Sequence, residues 1–146
     1  MKNKKFILTE TYRIVKGITL YQIKALIAFS DVKKHELGGF VEKEDNLCFS
    51  NNCWVYESGK VSGDAKVTGN AVVAGNAAIS GKAQVSGNAE LGGNAVINDH
   101  AKICGNAQIK WNAVITDDAV ISGNAVITDN AQVSGTAQVS GNAVII

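Results

Sequence analysis

The strongest constraint on this chain is a repeat of six residues. Val55, Val61, Val67, Val73, Ile79, Val85, Leu91, Ile97, Ile103, Ile109, Ile115, Ile121, Ile127, Val133, Val139 and Ile145 follow one another at that spacing, without an insertion. From Ala65 to Ala143 an alanine stands two places before each aliphatic. Six residues advance an α-helix by about 1.7 turns, so the aliphatics would spiral around it. A separation of two places the Ala and the aliphatic on one face of a short strand. The remaining places are Gly-Asn or close variants, such as Gly69-Asn70, Gly87-Asn88 and Gly105-Asn106. These residue types accept left-handed backbone at little cost. Each hexad therefore reads as a short strand and a corner, and repetition this strict overrides ordinary propensity.

Residues 53–146 are thus expected to wind as a coil lined with Ala and Val/Ile. An aromatic content of 6% agrees with a core of small aliphatic side chains. The pattern resembles the hexapeptide-repeat family, whose members fold as left-handed parallel β-helices of triangular section with three hexads per coil. That resemblance implies an all-β fold of about five coils, roughly 25 Å tall at the usual strand spacing. It also implies a homotrimer, the common assembly of that family.

Residues 1–52 break the rule and read as a β-rich cap ending in an irregular first coil. Phe6-Ile7-Leu8-Thr9 and Thr19-Leu20-Tyr21-Gln22-Ile23 have strand character, with Val15-Lys16-Gly17 as a turn between them. Ala25 to Phe29 either extends the second strand or starts a short helix. Leu37-Gly38-Gly39-Phe40-Val41 and Asn46-Leu47 begin the coil, and Cys53 takes the alanine slot before Val55. Together with Cys53-Trp54-Val55-Tyr56, this amino-terminal segment is similar to that of a group of prophage-borne Gly-Asn-Ala repeat proteins. The resemblance implies a phage accessory protein and leaves the activity open. At the other end the repeat runs through Val144, Ile145 and Ile146 with nothing to blunt it, so end-to-end docking on another subunit is expected.

Composition narrows the function. Fourteen basic and thirteen acidic residues give a net charge of +1, which supplies no basic stripe for nucleic acid or a membrane surface. No apolar run approaches the length of a membrane span. Three cysteines without a CxxC pair fit reduced thiols in a cytoplasm. Cys53 should face inward and Cys104 outward, so a shared zinc ion is not expected; neither is a cofactor. His35 lies in the charged Lys33-Lys34-His35-Glu36 loop and reads as solvated.

Sorting the hexads by threes gives three walls. One is polar, with Lys66, Gln84, Lys102, Val120 and Gln138. A second carries Ala78, Val96 and Val114; a third carries Val72, Val126 and Val144, interrupted by Glu90 and Gln108. Trp111 sits in a glycine slot at the corner joining the two apolar walls, which with Ile145 and Ile146 form the expected oligomer interface. The corner between the second wall and the polar one collects Asp64, Lys82, His100 and Asp118, with Asp99 beside Asp117. His100 should approach Asp118 from one coil away.

These features point to an oligomeric binding protein rather than an enzyme. The resemblance carried by the amino-terminal segment implies, as an expectation, a phage counter-defence factor in the host cytoplasm, sequestering a small anionic signal of nucleotide type at subunit boundaries or blocking a host protein. Trp111 would stack on the base, Lys102 and Lys110 would hold phosphate, and Asp99, His100, Asp117 and Asp118 would contact base or ribose. The rivals are an acyl-CoA-dependent acyltransferase with His100 as general base, and a purely structural assembly protein. Against the acyltransferase stand the uninterrupted hexads, which leave no extruded loop to close over a site.

Overall fold

The computed structural model describes residues 4–146. A hairpin of β1 (Phe6–Val15) and β2 (Ile18–Ala25) comes first, followed by β3 (Leu37–Val41) and a 3-10 turn at Glu44–Asn46. Sixteen two-residue strands then follow at six-residue intervals, from β4 (Trp54–Val55) to β19 (Val144–Ile145). They stack in parallel register, each residue pairing with the one eighteen places on, as Ile97 with Ile115 and Ile103 with Ile121. Eighteen residues per coil means three hexads per coil, and the strands sort into three sheets. The fold is a three-sided parallel β-helix of about six turns.

The interior follows the sequence pattern. The aliphatics from Val55 to Ile127 and the alanines from Ala65 to Ala125 are almost wholly buried and form one continuous cluster. Burying each Val or Ile contributes about 1.5–3 kcal/mol relative to exposure. Backbone N–H groups at the walls and corners bond to the next coil, as Val96 to the Ala113 carbonyl at 2.9 Å. Corners turn through left-handed residues, which are glycine at most positions. At Gly87 an added Cβ would lie 2.8 Å from the Gly105 carbonyl oxygen, so sterics as well as φ favour glycine there.

The cap extends one wall rather than forming a separate lid. β2 pairs antiparallel with both β1 and β3, while β3 lies parallel to the Lys60–Val61 strand of the shaft. Lys16 and Gly17, both at positive φ, make the two-residue hairpin turn. The second strand ends at Ala25, and the following residues form no helix: Phe29 and Val32 bridge each other instead. The first coil begins upstream of residue 53. Val41 pairs with Val61 and Leu47 with Val67, an offset of twenty residues, whereas Val55 pairs with Val73 at eighteen. Two extra residues therefore bulge out between Leu47 and β4. This irregular coil adds about one turn to the five or so that the hexads alone imply.

Trp54 occupies a position that faces outward in later hexads, yet here it is fully buried. Phe29 meets it edge-on at 5.2 Å between ring centroids and Phe6 at 6.3 Å. The cap's aromatic residues thus fold over this outer position of the first coil and join the shaft core in a single cluster.

Candidate functional site

The walls carry the expected side chains in the expected columns. Lys66, Gln84, Lys102, Val120 and Gln138 are paired along one sheet. Ala78, Val96 and Val114 share a second, and Val72, Val126 and Val144 a third, with Glu90 and Gln108 between. The outward valines before the last coil are half-buried by their neighbours; Val144 and Ile146 are exposed, and Ile145 is half-buried.

The charged corner joins the second wall to the polar one. Asp99 and Asp117 both sit at left-handed φ, 57° and 59°, where glycine is the usual residue. Their carboxylates point along the shaft. Asp99 Oδ2 accepts the Asp117 N–H at 3.2 Å, and Asp117 Oδ2 accepts the Gly135 N–H at 2.9 Å. These two carboxylates are therefore part of the frame. His100 Nδ1 lies 3.8 Å from Asp118 Oδ1, both side chains well exposed. At the same corner Asp64 accepts from Lys43 Nζ at 2.7 Å, which ties the cap to the shaft. That hydrogen bond, reinforced by the lysine's charge, lowers the Asp64 pKa and raises that of Lys43. The other two corners carry ladders of asparagine amides, such as Asn88 to Asn106 and Asn94 to Asn112.

Trp111 stands at the corner between the two apolar walls at φ 57°, with 64% of its surface exposed. Beside it lies a groove of about 530 Å³ lined by Val72, Ala74, Glu90, Leu91, Gly92, Gly93, Lys110 and Trp111. The groove is an open, mostly apolar concavity with an aromatic edge, one cation at Lys110 and one carboxylate at Glu90.

The structure brings Trp111 and Lys110 together and places Asp99, His100, Asp117, Asp118 and the exposed Lys102 at or beside the other corner. The two groups are separated by the width of a wall within one chain. His100 lines neither the Trp111 groove nor the second sizeable cavity, which lies beside the first coil. Among the described residues no three His, Cys, Asp or Glu side chains gather as a metal site. Among the described residues no helix is long and apolar enough to cross a membrane.

Sequence reasoning misses the cluster under the cap. Cys48 and Cys53 approach to 3.7 Å between sulfurs, and Lys5, almost completely buried, reaches the Cys53 sulfur at 3.4 Å. The hexad phase speaks only to Cys53 and Cys104; the two-residue bulge that folds Cys48 back onto Cys53 leaves no periodic signal.

No family model matches the chain, and no curated protein matches it.

Proposed function

We propose that this protein is a non-catalytic, self-associating binding protein that takes a small planar anion of nucleotide type in the groove beside Trp111. The observation that carries this reading is Trp111 itself. A large ring is held in a left-handed corner, at a cost of about 1–2 kcal/mol, where it fills no interior and leaves most of its surface in solvent. An aromatic face with Lys110 at its side suits a stacked base and a phosphate. The half-buried Val96, Val114 and Val126 on the flanking walls support association of copies along this corner, with a trimer as the expected closure. In such an assembly a neighbour's charged corner, with Lys102, His100 and Asp118, completes the contacts that one chain keeps apart. The resemblance of the amino-terminal segment to prophage-borne repeat proteins adds the finer reading, a phage factor that withdraws a host signal in the cytoplasm.

The test is calorimetric titration of nucleotides into wild type and Trp111→Gly, with sedimentation to report oligomeric state. Saturable binding in wild type that falls at least tenfold in Trp111→Gly supports the reading. Absence of binding by every nucleotide, or binding that the substitution leaves unchanged, overturns it.

A further inference from the structure

Beneath the cap lies a pair of cysteines that nothing in the proposed function uses. Cys48 sits at the start of the bulge and Cys53 at its end. Their backbones are pinned to the next coil, Cys48 N–H to the Val67 carbonyl at 3.2 Å and Cys53 N–H to the Gly69 carbonyl at 3.0 Å. The four residues between them make no ladder to that coil by backbone bonding alone; Asn52 reaches only the Asn70 side chain. Their sulfurs face each other at 3.7 Å. A disulfide requires about 2.0 Å, a closure within the reach of small side-chain rotations and the loop's freedom.

The two thiols differ in kind. Cys53 is completely buried, and burial pushes its pKa up to about 11, against the opposing charge of Lys5. Cys48 is partly exposed and borders a cavity of about 540 Å³ that it shares with Glu44, Asp45, Phe49, Ser50, Lys66 and Thr68. Burial raises the Cys48 thiol, but hydrogen bonding to Ser50 and Cys53 with the nearby Lys5 charge outweighs it, and the net displacement is downward. Lys5 Nζ donates to the Cys53 carbonyl at 2.6 Å and lies 3.4 Å from its sulfur, with the Phe29 ring 4.7 Å away. Among the described residues no carboxylate meets this buried cation. Positive charge beside a thiol pair favours the thiolate that must attack.

We infer that Cys48 and Cys53 form a peroxide-reactive dithiol, with Cys48 as the attacking and Cys53 as the resolving thiol. The Cys48 thiolate attacks the terminal oxygen of a hydroperoxide; an S–O bond forms, the O–O bond breaks, and the alcohol or water leaves with a proton. Cys53 then attacks the Cys48 sulfur. The S–S bond forms, the S–O bond breaks, and hydroxide departs as water with the Cys53 proton. Each sulfur is oxidised by one electron and the peroxide is reduced by two, so two thiols and one hydroperoxide give one disulfide, one alcohol and one water. The product staples the bulge of the first coil beneath the cap.

The experiment treats the reduced full chain with hydrogen peroxide, then alkylates it in denaturant for intact and peptide mass spectrometry. Wild type should lose two of its three alkylatable thiols and link Cys48 to Cys53. Cys104→Ser should behave as wild type. Cys48→Ser should keep Cys53 alkylatable. In Cys53→Ala a 1,3-diketone should trap sulfenic acid at Cys48. Alanine is the residue every hexad from Ala65 onward carries at this place, so that variant keeps the fold, as circular dichroism will report. Retention of all three thiols in excess peroxide overturns the inference, as does a link through Cys104.

Discussion

The carboxylate of Asp117 accepts the backbone N–H of Gly135, one coil further along the shaft, at 2.9 Å. Asp99 makes the same bond to Asp117 itself. An Asp at a left-handed corner thus does two things, tolerating the backbone and bonding the next corner. Asp117→Ala loses both and should cost about 1–2 kcal/mol in urea unfolding. Asp117→Asn, which keeps an acceptor and the left-handed tolerance, should stay within about 0.5 kcal/mol of wild type. If the alanine variant is as stable as wild type, the Asp ladder is incidental to the frame and the two carboxylates are free for a ligand after all.

Trp111 gives the opposite case. Its φ of 57° suits glycine, and its ring packs on little. Trp111→Gly should therefore leave the unfolding midpoint unchanged or raise it, whereas Trp111→Ala should fall about 1 kcal/mol below the glycine variant because it keeps the strained backbone. Thermal and urea unfolding of the pair reads the strain directly. A glycine variant less stable than wild type by more than about 1 kcal/mol would make Trp111 a packing residue, not a surface one.

The shaft was legible in the sequence because period and chemistry agree at every hexad. Ala at one place, Val or Ile two on, and Gly-Asn between strands leave a single way to bury the apolar face, so the columns holding Trp111, His100 and Asp118 fall where the spacing puts them. The cap was not, since its contacts are non-periodic. Trp54 reads as outward by its phase, and only Phe6 and Phe29 from distant segments bury it. The Cys48–Cys53 approach depends on a bulge of two residues, which changes the register without changing the composition. The doubling of Asp99 and Asp117 as corner braces was likewise hidden: the residue types showed tolerance of positive φ, but the bond to the next coil needs the side-chain direction.

Asn46 closes the first coil where a glycine corner is missing. It is fully buried; its Oδ1 accepts the Lys43 N–H at 2.8 Å, and its Nδ2 donates to the carbonyls of Gly63 at 3.1 Å and Ala65 at 2.9 Å. Asn46→Ala leaves three backbone groups short of a partner and should cost about 2–4 kcal/mol. Amide exchange should show where. Protection should drop at Gly63, Lys43 and the cap strands while the coils from Ala95 onward keep theirs, because each coil contacts only its neighbours. Uniform loss along the shaft would show that cap and coils unfold as one unit.

Cys53 sets an alkaline limit on the fold. Its thiol is pushed up to about 11 by burial, which outweighs the pull of Lys5, while an unfolded cysteine ionises near 8.5. As pH rises through the unfolded value, the unfolded chain sheds this proton and the folded chain retains it. The unfolded state then binds fewer protons, so stability falls with rising pH until the folded thiol also ionises. The contribution is fully present below about pH 8, declines between about 8.5 and 11, and amounts to about 3 kcal/mol when complete. Tyr56, raised by burial and its hydrogen bond to Asp31, adds a loss of the same sign at higher pH. Denaturant unfolding at several pH values under reducing conditions separates the two. Cys53→Ala should flatten the decline between about 9 and 10, before the tyrosine begins to contribute, and leave the later one in place. Equal slopes in both proteins across that window would mean that the buried thiol does not link folding to pH.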